Sequence, residues 1–158
     1  MKKSKIKLPV NDDLEIDFKF IENFIKKLDI KKSIFKNYKL SLIKEKINLN
    51  DKEFKYFNIN ELFEVTGSKT TKKDILEEYG EGEFPYITTQ ATNNGVKGFY
   101  DFFTEKGGVL TIDSAVVGFC SYQEKDFSAS DHVEKLVPQF KLNKYIAKFL
   151  TTIINKEN

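Results

Sequence analysis

The sequence contains no arginine, no tryptophan, one cysteine and one histidine among its 158 residues. All 26 basic residues are therefore lysine, so the chain cannot use the bidentate contact that arginine makes with guanine. The single cysteine, Cys120, excludes an internal disulfide, which fits a reducing, cytoplasmic environment. No apolar run approaches about 18 residues and no signal peptide follows the basic N-terminus, so we expect no membrane partner.

Residues that could support catalysis or bind a metal are also scarce. Cys120 and His132 could in principle form a nucleophile and its base, but the small apolar neighbours of Cys120 are typical of an inert core thiol. The chain has no zinc-ligand spacing, no glycine-rich nucleotide motif, and no acidic-x-Lys partner for Asp113. We therefore expect no cofactor, no metal ion and no enzymatic activity of the isolated chain.

Charge is distributed unevenly along the sequence. Residues 1–55 contain 15 lysines and 9 acidic residues, whereas residues 56–140 contain 7 lysines and 14 acidic residues. The last 18 residues are again basic, and the overall formal charge is only +2. Nucleic-acid binding would therefore require the central lysines to gather on one face, because the average charge of that region does not favour it.

The distribution of glycine along the sequence predicts the domain organisation. All eight glycines lie between Gly67 and Gly118, in a segment rich in aromatic and β-branched residues, and the flanking segments show helical periodicity. The fold class expected is α+β, with a twisted, mostly antiparallel, partly closed sheet from residues 57–140, an N-terminal helical arm and a C-terminal amphipathic helix. We predict helices at 15–29, 33–48 and 141–154, a helical arm over 1–55 and a second domain over 56–158.

The N-terminal arm carries an apolar stripe with helical spacing. Ile16, Phe20, Phe24 and Leu28 recur every four residues, and the candidate helix caps are Asn11, Asp12 and Asp13. A second stripe consists of Phe35, Tyr38 and Leu42. Two interpretations stay open: the arm packs on its own domain, or it docks equivalent helices of a second copy or of a partner protein.

A loop rich in amides and hydroxyls is the main candidate for binding. Thr89, Gln90, Thr92, Asn93 and Asn94 separate two strand-like runs, and their planar amides suit base edges, above all adenine. The alternative is a simple polar turn, since Asn-Gly is a strong hairpin signal. Tyr122 and Gln123 are predicted to lie on a second such loop, and Lys97 and Tyr100 follow the first one.

A second candidate loop combines lysine with hydroxyl groups around Gly67. It contains Lys69, Thr70, Thr71, Lys72 and Lys73, and it suits phosphate contact. It lacks the glycine and lysine spacing of a P-loop. The alternative interpretation is an ordinary surface loop.

Several short motifs follow one another between residues 57 and 154. They are Phe57-x-x-x-x-Leu62-Phe63-x-Val65-x-Gly67, Gly82-x-x-Pro85-Tyr86-Ile87, Asn93-Asn94-Gly95-Val96-x-Gly98-Phe99, Gly107-Gly108-Val109-Leu110-Thr111, Gly118, Asp131-His132-Val133-x-x-Leu136-x-Pro138 and a final helix at 143–154. In this order they resemble the target recognition domain of restriction–modification specificity subunits, of the type I kind and their fused relatives. Residues 6–9 and 16–25 resemble the segment that follows such a domain in this family, although here they precede it. The chain thus looks like the rear part of a two-domain subunit, a half-subunit or a truncated product.

The resemblance implies sequence-specific recognition of double-stranded DNA without catalysis, in a bacterial restriction system. The partners it implies are a modification (methyltransferase) subunit and a restriction subunit, and the N-terminal helices could also form a homodimer. The DNA-binding residues expected are those of the loops described above: Lys69, Thr70, Thr71, Lys72, Lys73, Thr89, Gln90, Thr92, Asn93, Asn94, Lys97, Tyr100, Tyr122 and Gln123. The alternatives are a protein–protein interaction module that uses the helical arm and a fragment of a nuclease or methyltransferase.

Overall fold

The computed structural model of the chain describes residues 5–37, 49, 52–114 and 118–157. Helices and strands alternate along these residues. In chain order they are β1 (Lys5–Pro9), α1 (Phe18–Asn37), β2 (Phe54–Asn58), α2 (Ile59–Leu62), β3 (Phe63–Gly67), α3 (Lys73–Tyr79), β4 (Glu81–Ile87), a 3-10 turn (Asn93–Gly95), β5 (Val96–Tyr100), β6 (Val109–Asp113), β7 (Cys120–Gln123), β8 (Ser128–Ala129), β9 (Val133–Pro138) and α4 (Lys144–Glu157).

The strands form three separate sheets. β1 pairs with β2, a four-stranded sheet has the order β3-β9-β6-β7, and a three-stranded sheet has the order β5-β4-β8. All pairings between these strands are antiparallel except β4 with β8. The predicted α+β class with mostly antiparallel strands is confirmed. Within the described residues, however, the strands do not form the single partly closed sheet that we expected.

The first helix begins later than its sequence pattern predicts. The Asp17 carboxylate accepts a hydrogen bond from the Phe20 N–H at 2.8 Å, so Asp17 is the N-cap of α1. The predicted caps at 11–13 are wrong because the chain first makes a turn there. In that turn the Asn11 side chain accepts a hydrogen bond from the Glu15 N–H, and Val10 pairs with Ile16. α1 continues to Asn37, so residues 33–37 of the second predicted helix belong to it, and the rest of that helix lies outside the described residues.

The apolar face of α1 packs on its own chain. Ile21 and Ile25 are buried in the main core, and Phe24 contacts Phe149 of α4 edge to face at 6.3 Å between ring centroids. This outcome supports the first of the two interpretations of the arm. Ile16, Phe24 and Leu28 of the first stripe are partly buried against the same core, and the homodimer through the N-terminal helices stays a prediction. Tyr38 and Leu42 of the second stripe lie outside the described residues.

The N-terminal segment packs against other parts of the described chain. β1 pairs with β2 in the register Ile6 to Phe57, and the predicted domain boundary between residues 55 and 56 falls inside β2. Ile6 and Leu8 share one buried cluster with Leu110 and Leu136 of the four-stranded sheet. Within the described residues, no helix is long and apolar enough to cross a membrane.

The C-terminal helix α4 confirms the predicted amphipathic helix and covers the four-stranded sheet. The Asn143 side chain caps it by accepting hydrogen bonds from the Tyr145 and Ile146 N–H groups, both at 3.0 Å. Near its end, Asn155 accepts from the Cys120 N–H at 2.6 Å and donates to the Cys120 carbonyl at 2.9 Å. Asn155 therefore satisfies main-chain groups at the outer edge of β7, where no further strand of the described sheet pairs.

Candidate nucleic-acid interface

Two of the predicted binding loops begin at neighbouring segments of the fold. Ile87, at the end of β4, pairs in parallel with Ala129 of β8, and Ala129 pairs in parallel with Thr70 on its other side. Neighbouring strands lie about 4.8 Å apart, so Thr70 and Ile87 are separated by roughly 10 Å. Because the three segments run in the same direction, the residues that follow each pairing lie at the same end of the three segments.

Main-chain and side-chain hydrogen bonds hold these segments in place. The Thr71 N–H donates to the Ala129 carbonyl at 2.7 Å, and the Ser130 N–H donates to the Ile87 carbonyl at 2.8 Å. The Tyr86 hydroxyl donates to the Thr71 carbonyl at 3.1 Å. The relative position of the two loops is thus determined by the scaffold beneath them and not by the loops alone.

The loop between β4 and β5 has an unusual backbone. Asn93, Asn94 and Gly95 have φ values of 50°, 53° and 77°, so three consecutive residues occupy the left-handed region. The loop is closed by hydrogen bonds from the Thr88 N–H to the Gly95 carbonyl at 2.8 Å and from the Gly95 N–H to the Thr92 carbonyl at 2.9 Å. A Cβ on Gly95 would also lie 3.1 Å from the Thr88 carbonyl oxygen, which explains the need for glycine there.

The amides of this loop have different roles. Gln90 Nε2 donates to the Val96 carbonyl at 2.6 Å and to the Thr92 carbonyl at 3.3 Å, so its N–H groups stabilise the loop. Asn93 Nδ2 lies 3.3 Å from the same Val96 carbonyl. The exposed Asn94 side chain makes no hydrogen bond to the described part of the chain. Asn94 is therefore the amide best placed to contact a ligand, and Gln90 is better placed to shape the loop.

Tyr122 and Gln123 do not lie on a loop, as the sequence suggested, but in strand β7. Gln123 is only 3 % exposed, and its Nε2 donates to the Asn94 carbonyl and to the Thr111 hydroxyl. Tyr122 alternates to the other face of the strand, where it packs against the main core. Direct base contact by Gln123 is incompatible with its burial, and Tyr122 faces away from the amide loop.

The lysine loop also divides into exposed and engaged residues. Lys69 and Lys72 are exposed, and neither forms an ion pair within the described residues. Lys73 forms an ion pair with Glu77 at 2.7 Å, and this hydrogen bond raises the pKa of the lysine. The hydroxyl of Thr71 is buried and lies 3.3 Å from the Thr104 hydroxyl, so Thr71 belongs to the interior of the fold.

A buried ion pair beneath the lysine loop was not anticipated from the sequence. Glu105 is 7 % exposed; one carboxylate oxygen accepts the Lys69 N–H at 2.5 Å and the other lies 2.5 Å from Lys135 Nζ. Lys69 and Lys135 stand 36 and 30 positions from Glu105. No local sequence signal connects residues at such distances, because tertiary structure alone brings them together.

The two remaining candidates lie along β5. Lys97 is exposed near the start of this strand, close to the amide loop. Tyr100 lies at the far end, about 13 Å from Val96 at the normal rise of a strand. Its ring contacts Tyr86 edge to face at 6.1 Å, so it is a partly buried residue of the scaffold.

The residues that could have supported catalysis are not arranged for it. Cys120 is 1 % exposed, and burial raises the pKa of its thiol to about 12. His132 is exposed, in a turn between β8 and β9 with a φ of 62°. No group of three His, Cys, Asp or Glu residues suited to a metal ion occurs in the described residues.

We define the loop surface as the exposed or half-exposed candidate binding residues that lie near the C-terminal ends of β4 and β8. It excludes Thr71, Gln90, Tyr100, Tyr122 and Gln123, which are buried or engaged with the scaffold, and Lys73, which is paired. Its members are Lys69, Thr70, Lys72, Thr89, Thr92, Asn93, Asn94 and Lys97. A surface of amides, hydroxyls and lysines can donate and accept hydrogen bonds at base edges and neutralise phosphate charge.

Residues 51–158 match the protein family described as "Type I restriction modification DNA specificity domain". The chain belongs to this family, since the match covers more than half of it. Two solved structures align with the chain: a type I restriction–modification S subunit from M. genitalium (18 % identity, TM-score 0.47) and the HsdS subunit from Thermoanaerobacter tengcongensis (10 % identity, TM-score 0.43). Both alignments cover 87 % of this chain but only 36 % and 37 % of the other chains, so this chain spans little more than a third of either length. A search of curated proteins found no match.

Proposed function

We propose that this chain recognises a specific sequence in double-stranded DNA as the specificity component of a type I restriction–modification system. The observation that carries the proposal is the family match over residues 51–158. The loop surface supports it, because it combines exposed amides with lysines that lack an ion pair within the described residues. In this proposal the chain performs no catalysis, and separate modification and restriction subunits carry out the chemistry.

The members of the loop surface divide the work between bases and phosphates. Asn94, with Asn93 and Thr92 beside it, contacts base edges, because an amide can donate to and accept from adenine at the same time. Lys69, Lys72 and Lys97 contact phosphates, which position the protein but do not read sequence. This division is compatible with a chain that has no arginine, since adenine readout does not need it.

A partner protein is part of the proposal. Residues 56–140 contain twice as many acidic residues as lysines, so this region repels the DNA backbone outside the loop surface. One recognition domain would also read only half of a split target. We therefore propose that tight binding requires the modification subunit, and that the chain alone binds weakly and with strong salt dependence.

The experiment is a selection from randomised duplex DNA, with and without the modification subunit. We expect an enriched sequence, and an affinity for it that falls steeply between about 50 and 200 mM salt. Asn94→Gly removes the amide while keeping a residue that tolerates positive φ. It should reduce discrimination between the selected and a scrambled duplex by about 1–3 kcal/mol.

Gln139→Ala is the matched control, because it removes an exposed amide that lies outside the loop surface. It should leave both affinities unchanged. Failure to enrich any sequence, even with the modification subunit present, would overturn the proposal. Equal losses on both duplexes for Asn94→Gly would instead show that Asn94 does not read bases.

A further inference from the structure

A buried glutamine connects the four-stranded sheet to the loop that carries Asn94. The two hydrogens of Gln123 Nε2 have separate acceptors: the Asn94 carbonyl at 3.0 Å and the Thr111 hydroxyl at 2.9 Å. Gln123 and Thr111 are each 3 % exposed, so water does not compete effectively for these bonds. Both residues belong to the sheet, on β7 and β6, whereas Asn94 lies at the tip of the loop.

Asn94 occupies a backbone conformation that needs support. Its φ of 53° and ψ of 30° are in the left-handed region, as are the φ values of both neighbours, and such residues persist only where surrounding contacts favour them. The hydrogen bond from Gln123 is a contact from a rigid element to the residue at the centre of this run. Hydrogen bonds through Gln90 and Thr88 join the loop to itself and to β5.

The loop also rests closely on the sheet. A cavity of about 10 Å³ lies between Gly95 of the loop and Thr111 and Ser121 of the sheet, which is too small for more than about one water. A displacement of Asn94 relative to β7 would therefore break the Gln123 bond or open this contact. The side chain of Asn94 is exposed, while its main-chain carbonyl accepts the hydrogen bond from Gln123.

From this geometry we infer that Gln123 is a positioning residue for sequence discrimination, which holds Asn94 in the orientation that reads DNA. The inference rests on the proposed function. It assigns to Gln123 a role different from direct base contact: the amide acts through the backbone of Asn94. Its loss should lower affinity for the selected sequence and spare non-specific affinity. The lysine loop is held separately, by the Thr71 N–H on the Ala129 carbonyl and the Lys69 N–H on Glu105, and Lys97 lies in β5.

The test compares Gln123→Met with Thr111→Val in the full chain. Gln123→Met keeps a similar volume but removes both donors, whereas Thr111→Val removes one acceptor and leaves the bond to Asn94 intact. Amide hydrogen exchange without DNA should be roughly three- to tenfold faster at Gly95 and Val96 in Gln123→Met only. The ratio of affinities for the selected and a scrambled duplex should fall about tenfold in the same variant.

Each outcome separates the inference from the proposed function. Unchanged exchange at Gly95 and Val96 in Gln123→Met, or faster exchange with discrimination intact, would overturn the inference while the proposed function stands. A wild-type chain that selects no sequence would overturn the proposed function, and the inference with it, even if the exchange result holds. If Gln123→Met does not fold, Gln123→Asn replaces it, because it keeps a polar amide that is one methylene too short to reach Asn94.

Discussion

The described residues of the chain contain two buried apolar clusters of very different size. The larger has sixteen buried residues, contributed by the N-terminal segment, α2, the four-stranded sheet and α4. The smaller has five beneath the loop surface: Ile87, Val109, Phe127, Ala129 and Val133. Around the smaller cluster, buried polar groups are frequent, including Thr111, Gln123 and Glu105. Burial of apolar area stabilises the first region, and directional hydrogen bonds determine the geometry of the second.

This difference corresponds to different requirements on the two regions. Hydrophobic burial is strong but not directional, so it stabilises a fold without fixing a loop to within a few tenths of an ångström. Buried hydrogen bonds contribute less net free energy but impose distances and angles. The loop surface therefore has a scaffold suited to holding amides and lysines in defined positions, at some cost in stability.

The largest effect is expected in the larger cluster. Leu136 is fully buried at the centre of the four-stranded sheet, and Leu136→Ala should reduce the free energy of unfolding by about 2–5 kcal/mol. Ile75, on α3, is 41 % exposed, so Ile75→Ala should change the free energy of unfolding by less than about 0.5 kcal/mol. Urea denaturation followed by circular dichroism measures both, and similar losses in the two variants would contradict the distinction.

A smaller effect is expected from the ion pair beneath the lysine loop. Glu105→Gln leaves the ammonium of Lys135 without its carboxylate, and we expect a loss of up to about 3 kcal/mol. Lys106→Ala breaks the neighbouring pair with Asp126, in which the lysine side chain is 80 % exposed, and should cost much less because water screens this pair. Thermal unfolding of both variants provides the comparison; a larger loss for Lys106→Ala would show that burial does not control the strength of these pairs.

The third prediction concerns the N-cap of α1, a helix that packs on the larger cluster. Burial raises the pKa of Asp17, but hydrogen bonds from Lys52 and the Phe20 N–H lower it more, so the net pKa lies below its ordinary value of 3.8. Since the folded-state pKa is lower, this contribution to stability is complete above pH 3.8 and is lost as the pH falls through the folded-state pKa. Asp17→Ala should cost about 0.5–2 kcal/mol at neutral pH.

Asp17→Asn is the control for this cap, because it retains a capping oxygen and removes the charge. It should flatten the fall of unfolding free energy with acidification below pH 3.8, measured by urea denaturation at a series of pH values. An unchanged slope would mean that Asp17 does not titrate differently in the folded and unfolded states.

The smallest effect concerns the loop surface itself. Lys72→Ala should weaken binding to all duplexes alike and reduce the slope of log affinity against log salt by about 0.9, the value for one phosphate contact. Lys73→Ala should change the slope less, since Lys73 is already paired with Glu77. Fluorescence anisotropy over a salt series distinguishes them, and an unchanged slope for Lys72→Ala would place the phosphate contacts elsewhere.

The sequence by itself determined the α+β class, the C-terminal amphipathic helix and the family. The spacing of Leu142, Ile146, Phe149 and Leu150 predicts α4 because helical periodicity is a local property of the chain. The succession of motifs from Phe57 to Pro138 points to the family that the match over residues 51–158 shows. The prediction that the amides of residues 90–94 lie in a loop between two strands is confirmed.

Only the tertiary structure decided which of the candidate residues are available. Gln90, Asn94 and Gln123 carry similar amides and cannot be told apart by composition, yet one shapes a loop, one is exposed and one is buried. No motif in the neighbouring sequence distinguishes Glu105 from other acidic residues. Its role depends on Lys69 and Lys135, which are distant from it in sequence. The physical reason is the same in each case: burial and hydrogen-bond partners are set by contacts between distant segments, which local sequence patterns do not encode.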